Sequence, residues 1–197
     1  MKFKNIFITG STGVVGKPIF LKLINQGHNV FALSRNTKNQ DFIRTNKAEV
    51  VNGDLFSENI YSQLKDKSID AIFHVAGANQ KCQKDPSSMH KTNIEGTKKI
   101  LELGNNLQIK KFIYTSSAVT LGEQKGKIGN EKSDHRGSFL SDYEESKFLA
   151  EQVAFAFNKN FEFVSINPSS VQGPGRISGT AKLLISTLNK KFPPLIK

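Results

Sequence analysis

Short apolar runs of strand length alternate with stretches of helical periodicity along the chain. The runs predicted as strands cover residues 5–9, 29–33, 49–51, 71–75, 111–115 and 161–166. Between and after them, the pattern predicts helices at 14–25, 57–64, 86–103, 141–158 and 179–188, and a polar loop at 122–138. Strands that alternate with helices pair in parallel through right-handed crossovers. The pattern therefore predicts an α/β fold with a doubly wound parallel sheet.

A glycine-rich turn follows the first predicted strand. The segment 6–16 reads IFITGSTGVVG and leads into a helical pattern. In such a turn Gly10 permits the tight bend, Gly13 lets the backbone approach a pyrophosphate, and Gly16 lets the helix pack on the strand. The helix N-terminus adds unpaired N–H groups and a positive dipole end. The spacing differs from the usual Gly-x-Gly-x-x-Gly, but its position after a first strand favours a dinucleotide site over an ordinary surface turn.

The composition is that of one soluble globular domain. The chain has 197 residues, 37% hydrophobic and 23% charged, which is enough for a real core. No apolar run is long enough to span a bilayer, and Cys82 is the sole cysteine, so no internal disulfide forms. We therefore expect a cytoplasmic protein with no membrane partner.

A formal net charge of +11 raises the question of a nucleic-acid partner. The basic residues are scattered in pairs such as Lys98-Lys99 and Lys110-Lys111, and no basic block is interleaved with aromatic residues. This distribution favours a solvated lysine-rich surface, and we predict no nucleic-acid partner.

The end of the second predicted strand indicates which cofactor is bound. An acidic residue there would accept hydrogen bonds from the adenine ribose and favour NAD. The chain has Ser34-Arg35 instead, and Arg35, which we expect to have no anion of its own nearby, would pair with a 2′-phosphate. This favours NADP, with NAD possible; a solvent-facing arginine is the alternative. Asp54, after the third strand, is placed to accept from an adenine amino group or to form a Gly-Asp turn.

Candidate chemistry lies on the fifth strand and the following helix. Ser116 and Ser117 end the strand, where a hydroxyl either binds a ligand or caps the strand. Tyr143 and Lys147 are four residues apart and share a helix face. A free phenol with a pKa of about 10 is a poor base, but a nearby ammonium favours the phenolate. The pair would then move a proton on or off an alcohol or carbonyl oxygen. The same spacing recurs at 61 and 65, without such neighbours.

Seven motifs in order resemble the extended short-chain dehydrogenase/reductase family, also described as NAD-dependent epimerase/dehydratase proteins. They are TGxxGxxG at 9–16, GDL at 53–55, FHVAG at 73–77, NxxGT at 93–97, SSA at 116–118, YxxSK at 143–147 and NP at 167–168. Within the family, YTSSAVTLG at 114–122 and INPSSVQGP at 166–174 look most like the dihydroflavonol-reductase-like branch.

The resemblance implies roles for individual residues. Tyr143 would be the acid/base, Lys147 would hold the nicotinamide ribose and tune Tyr143, and Ser117 would bind the substrate oxygen, with Ser116 as the alternative. Asn93 would lie near the site and support a proton relay, or be satisfied by local backbone. The residues expected to bind the cofactor are Gly10, Thr12, Gly13, Val14, Val15, Gly16, Arg35, Asp54, Leu55, Ala76, Gly77, Tyr143, Lys147, Pro168 and Val171.

His74 receives no catalytic role, and no metal site is expected. The reaction implied is NAD(P)-dependent hydride transfer between nicotinamide and an alcohol or carbonyl carbon of a small molecule, in a homo-oligomer. A sugar-nucleotide epimerase or dehydratase and a non-catalytic NAD(P)-binding module remain alternatives.

Family members usually continue into a substrate-binding lobe. We therefore expect residues 1–178 to form the NAD(P)-binding domain, and residues 179–197 to be the start of a truncated substrate-binding region whose lobe is largely absent.

Overall fold

Six parallel strands form one sheet in the order β3-β2-β1-β4-β5-β6. The computed structural model describes residues 3–79, 85–173, 176 and 180–189. The strands are β1 Asn5–Thr9, β2 Asn29–Ser34, β3 Glu49–Asn52, β4 Ala71–His74, β5 Lys111–Thr115 and β6 Glu162–Ile166. The doubly wound α/β fold predicted from the sequence is confirmed, because helices cover this parallel sheet on both faces.

The helices differ from the sequence pattern in three places. The α-helices in the described residues are α1 Gly16–Asn25, α2 Thr37–Thr45, α3 Ile60–Leu64, α4 Ser87–His90, α5 Gly96–Asn106, α6 Asp142–Ala156 and α7 Thr180–Leu188. The pattern missed α2, which buries only Ile43 and has no apolar stripe. The helix predicted at 57–64 begins later, because Ser57 closes a turn back to Asp54. A π-helical turn, Lys91–Glu95, divides the helix predicted at 86–103 into α4 and α5. None of the helices in the described ranges has the length and apolar character needed to cross a membrane.

Alternate residues of the central strands are buried on opposite faces of the sheet. From β1, Ile6 and Ile8 pack with Phe20 of α1 and Ile43 of α2. Phe7 points to the other face, into the cluster formed with α3, α5 and α6. Because both faces are covered, the strands read as continuous apolar runs rather than as an alternating pattern.

The strand order creates a crevice between the carboxyl ends of β1 and β4. From β1 the chain winds outward to β2 and β3, and from β4 it winds the other way to β5 and β6. In open parallel sheets, ligands bind at such a switch point. The glycine turn follows β1, and Ala76 and Gly77 follow β4, so the fold brings these predicted residues to one crevice.

At the opposite, amino edge of the sheet, Asp70 joins three strands. Its carboxylate accepts hydrogen bonds from the backbone N–H groups of Lys4 (2.8 Å) and Asn5 (3.0 Å), and from Lys110 Nζ (2.6 Å). Partial burial acts to raise the pKa of Asp70, but these hydrogen bonds outweigh it and lower the pKa to about 2.

We predict that Asp70→Asn destabilises the fold at pH 7 by about 1–2 kcal/mol, the scale of a charge-assisted hydrogen bond. Because the folded pKa lies below the unfolded value of 3.8, the stabilisation is complete above that value and disappears as the pH falls towards 2. Urea unfolding at a series of pH values measures this. The wild type should lose more stability than the variant between pH 4 and 2.

The matched control is Asp41→Asn, since Asp41 is exposed and, within the described residues, its ion pair is with Arg44, one helical turn later, at 3.4 Å. It should follow the wild-type pH profile. Parallel profiles for the wild type and Asp70→Asn would contradict the role given to Asp70.

Candidate active site at the carboxyl edge of the sheet

Two glycines of the turn after β1 are required by close packing. Gly10 has a φ of +72°, and a Cβ there would lie 2.6 Å from the backbone nitrogen of Ala76. A Cβ on Gly16 would collide with the carbonyl oxygen of Gly10. A side chain at either position would therefore push the turn away from the end of β4 or from the start of α1.

Gly13 differs, because its outer face is open. A Cβ at Gly13 would meet only the Gly10 carbonyl oxygen, at 3.4 Å. In the described chain, the N–H groups of Val14 and Val15 donate to no backbone carbonyl, and Thr12 beside them is half-buried. The buried Ser11 hydroxyl also lacks a partner there. Free donors around an open glycine just before α1 fit the pyrophosphate of a dinucleotide.

The loop after β4 is held from both sides. The Ala76 N–H donates to Thr9 Oγ1 at 3.2 Å. Asn93 pairs with the backbone of Ala78, accepting from its N–H (2.8 Å) and donating to its carbonyl (3.0 Å). A Cβ on Gly77 would lie 3.3 Å from Asn93 Oδ1 and 3.9 Å from Lys147 Nζ. Gly77 therefore lies next to the predicted catalytic groups.

Asn93 lies in the π-helical turn, a feature often found at functional sites. Its second amide hydrogen goes to Ser146 Oγ on α6, at 2.9 Å. Both N–H donors of this buried amide are thus used, one for the Ala78 carbonyl and one for Ser146. In this arrangement Asn93 links the loop after β4 to α6, and only Oδ1 keeps spare capacity.

Helix α6 carries Tyr143 and Lys147 one turn apart. Its N-terminus is capped by the Ser141 hydroxyl, which accepts from the Glu144 N–H at 3.2 Å, and acidic residues in the first turn complement the dipole. Tyr143 is half-buried, and within the described chain no hydrogen bond involves its hydroxyl. The phenol is therefore available to a ligand.

Lys147 is only 5% exposed. Its ammonium donates to the carbonyl oxygen of Thr115 at 2.8 Å and to Tyr114 Oη at 3.1 Å. Burial lowers the pKa of Lys147 to about 8, against the opposing effect of the Glu151 carboxylate. A compact positive charge is thus fixed at the end of β5, facing the crevice.

The two serines at the end of β5 remain alternatives. Ser117 caps a short 3₁₀ turn, Ala118–Leu121, its hydroxyl accepting from the Val119 N–H at a long 3.5 Å. The Ser116 hydroxyl is buried and has no partner in the described chain. Both hydroxyls therefore have unused hydrogen-bonding capacity, and the geometry does not choose between them.

Glu151 is a buried acidic residue that the sequence analysis did not select. Its carboxylate accepts from the Ser165 hydroxyl at 2.6 Å and from Asn167 Nδ2 at 3.0 Å. Asn167 Nδ2 also lies 3.2 Å from the Ser117 carbonyl. Glu151 thus ties the end of β6 to α6 and to the serine segment. Its spacing of four residues from Lys147 on one helix face could have revealed it.

At the far end of the crevice, Arg35 and Asp54 face each other. Their side chains form a 3.9 Å ion pair, with that of Arg35 80% exposed. The expectation that Arg35 has no anion nearby is therefore wrong, because β2 and β3 end side by side. Asp54 has two roles, since its other oxygen accepts from the Phe56 N–H at 2.9 Å and closes the turn.

The remaining predicted cofactor residues lie at two places. The Leu55 side chain is buried in the core, where a Cβ on Gly96 would come within 2.8 Å of it, so only its backbone is available to a ligand. Pro168 and Val171 are half-buried in the segment after β6, where the Pro168 carbonyl accepts from the Ala118 N–H at 3.0 Å.

Comparisons with known proteins agree with this arrangement. Of the relatives, "Putative dihydroflavonol 4-reductase" of Synechocystis sp. is 30% identical over 96% of the chain. "3 beta-hydroxysteroid dehydrogenase/Delta 5-->4-isomerase" of Mycobacterium tuberculosis is 28% identical over 97%. The crystal structure of gox2253 superposes on 96% of the chain with a TM-score of 0.83 and 29% identity.

The chain spans about half the length of the relatives it matches: 56% and 53% of the two proteins named, and 59% of the gox2253 chain. A family model described as "NAD dependent epimerase/dehydratase family" matches residues 6–193, nearly the whole chain. With the glycine turn, the switch-point crevice and the Tyr–Lys helix in place, the chain belongs to the NAD-dependent epimerase/dehydratase family.

Proposed function

We propose that this chain binds NADP and takes part in hydride transfer to or from an alcohol or carbonyl carbon of a small molecule. The observation that carries the proposal is Lys147, a buried ammonium one helical turn from the available Tyr143 phenol. It lies near Gly77, at the crevice lined by the glycine turn. A fixed positive charge beside a free phenol suits proton transfer at an oxygen atom.

In this proposal each group of the chain has a limited task. The cofactor, when bound, supplies or accepts the hydride. Tyr143 gives a proton to the carbonyl oxygen during reduction, or takes one from the alcohol during oxidation. Lys147 stabilises the negative charge that Tyr143 carries after giving up the proton. A serine hydroxyl at the end of β5, Ser117 or Ser116, orients the substrate oxygen by a hydrogen bond.

The preference for NADP rests on Arg35. Its ion pair with Asp54 is long and largely solvent-exposed, so it contributes little stability. A 2′-phosphate carries more charge than a carboxylate and accepts paired hydrogen bonds from a guanidinium. Such a phosphate would therefore displace Asp54 as the partner of Arg35. NAD lacks this phosphate and would leave the ion pair intact.

We predict that Gly13→Val weakens NADPH binding at least about a hundredfold and leaves the fold intact. The open face of Gly13 accepts a side chain without a clash, but that side chain occupies the place of the pyrophosphate. Titration calorimetry measures binding and circular dichroism measures folding. Gly16→Val is the contrast, since it should destabilise the protein itself. Unchanged NADPH affinity in folded Gly13→Val would place the cofactor elsewhere.

For cofactor preference, we predict that NADPH binds more tightly than NADH and that Arg35→Ala narrows the difference about tenfold, the scale of one charge-assisted interaction. Asp54→Asn should widen the difference in affinity between NADPH and NADH, because the substitution removes the carboxylate that competes for Arg35. The amide oxygen of Asn can still close the turn. Dissociation constants for both nucleotides decide this. Equal affinities in the wild type, unchanged by either substitution, would exclude the role of Arg35.

For catalysis, we predict that Tyr143→Phe lowers turnover by at least about a hundredfold, far more than it weakens NADPH binding. Oxidation of NADPH is followed spectrophotometrically with a panel of aldehydes and ketones. Tyr61→Phe is the matched control, since Tyr61 has the same spacing to a lysine but lies on the exposed face of α3. It should keep full turnover. A larger loss in Tyr61→Phe would refute the site, and sugar-nucleotide interconversion without net NADPH loss would favour an epimerase.

A further inference from the structure

Five buried polar side chains form a network of hydrogen bonds and one ring stack beneath the crevice. Lys147 Nζ donates to Tyr114 Oη at 3.1 Å, and the Tyr114 ring stacks on the ring of His74. Thr97 Oγ1 lies 3.1 Å from His74 Nε2, and His74 Nδ1 lies 2.8 Å from Thr9 Oγ1. All five residues are at most 5% exposed.

The register of the sheet explains why three of these side chains meet. Thr9 of β1 is the lateral neighbour of His74 of β4, and His74 is the lateral neighbour of Tyr114 of β5. The rings of His74 and Tyr114 stack with centroids 5.8 Å apart. At its far end, Thr9 accepts the N–H of Ala76, in the loop after β4. The network therefore joins the backbone of Ala76, on one side of the crevice, to the ammonium of Lys147 on the other.

Among the five side chains of this network, only that of Lys147 is charged near neutral pH. Burial, together with the positive charge of Lys147, lowers the pKa of His74 to about 3, so its imidazole is neutral and offers one donor and one acceptor. Burial raises the pKa of the Tyr114 phenol, so it stays protonated. Since the network ends at the backbone N–H of Ala76, it leads no proton to solvent. Its physical effect is to hold groups in place.

We propose that Tyr114 is a positioning residue for Lys147, and that the network in which Thr97 and Thr9 hold His74 against the Tyr114 ring sets the direction of the ammonium relative to the loop after β4. Two of the three ammonium hydrogens are taken by Tyr114 Oη and the Thr115 carbonyl, which leaves one for the crevice. The Tyr114 ring also lies under the charge, with Nζ 4.7 Å from its centroid. The importance of this direction rests on the function proposed above.

The direct test is the variant Tyr114→Phe, which keeps the ring and removes the acceptor. The titratable groups that act on this site are Glu151 and Tyr143 of α6, Tyr114 of β5 and His74 of β4. All but Tyr114 remain in the variant. Losing an acceptor of the charged form should lower the Lys147 pKa by about one unit. An NMR titration of the Lys147 Cε resonance, assigned by its loss in Lys147→Arg, measures this in the free protein.

Two substitutions at Thr97 serve as a matched pair. Thr97→Val keeps the shape and removes the hydroxyl that holds His74, on which the Tyr114 ring stacks, whereas Thr97→Ser keeps the hydroxyl. We expect the Lys147 titration to move downward in Thr97→Val, by less than in Tyr114→Phe, and to return to the wild-type position in Thr97→Ser. A merely structural role of these residues would change thermal stability alone. Unmoved titrations in folded Tyr114→Phe and Thr97→Val would overturn the proposal.

The titration needs neither cofactor nor substrate, so it is separate from the proposed reaction. If it shifts as expected while Lys147→Met keeps full turnover, positioning holds and the catalytic assignment of Lys147 fails. If it does not shift while Lys147→Met abolishes turnover, the proposed function holds and Tyr114 has no positioning role. If the Lys147 titration shifts and Lys147→Met abolishes turnover, Tyr114→Phe should lower kcat severalfold with little change in KM. It should also shift the pH profile of kcat to lower pH.

Discussion

Burying the ammonium of Lys147 is the constraint on which the rest of the site depends. A charge removed from water is costly unless hydrogen bonds and an opposite charge replace the lost hydration. The Thr115 carbonyl and Tyr114 Oη provide the hydrogen bonds, and Glu151, one turn later on α6, provides the opposite charge. These partners come from both β5 and α6, so the helix can dock on the sheet in only one register without leaving a buried charge unpaired.

Side-chain hydrogen bonds also hold the two halves of the crevice together. Asn93 joins the loop after β4 to Ser146 of α6 with one side-chain amide, and the π-helical turn brings it within reach of both. On the other side of Lys147, Glu151 and Asn167 join α6 to the end of β6 and to the Ser117 carbonyl. Since these links are buried, moving one element would leave several donors and acceptors unsatisfied.

The features of the fold and the site that could be predicted are those with a signal in a short stretch of sequence. The strands could be predicted because a sheet covered on both faces needs unbroken apolar runs, and the fold that follows from them is confirmed. The glycine turn, Tyr143 and Lys147 have short characteristic spacings, and the fold brings them to one crevice, although their roles remain predictions. Helix α2 gave no apolar stripe, because its apolar contact with the core comes from two adjacent residues, the buried Ile43 and the partly buried Phe42.

The non-local features could not be predicted. Nothing in the sequence places Asp54 opposite Arg35, because their 19-residue separation is closed only by the pairing of β2 with β3. The contact between Tyr114 and Lys147 likewise needs the angle at which α6 crosses β5. His74 is fully buried, and its hydrogen bond to Thr9 comes from the strand register and that to Thr97 from the packing of α5 on the sheet, neither of which a local pattern shows.

The two ends of the crevice therefore differ in how they respond to change. Around Lys147 the polar groups are buried, and replacing one leaves its partner without a hydrogen bond, so stability and geometry change together. Around Arg35 the charges are exposed, and water replaces a lost partner at little cost. A substitution there should therefore leave the fold intact. Under the proposed function, the Arg35 end of the crevice can therefore vary in cofactor preference independently of the groups proposed to carry out the chemistry.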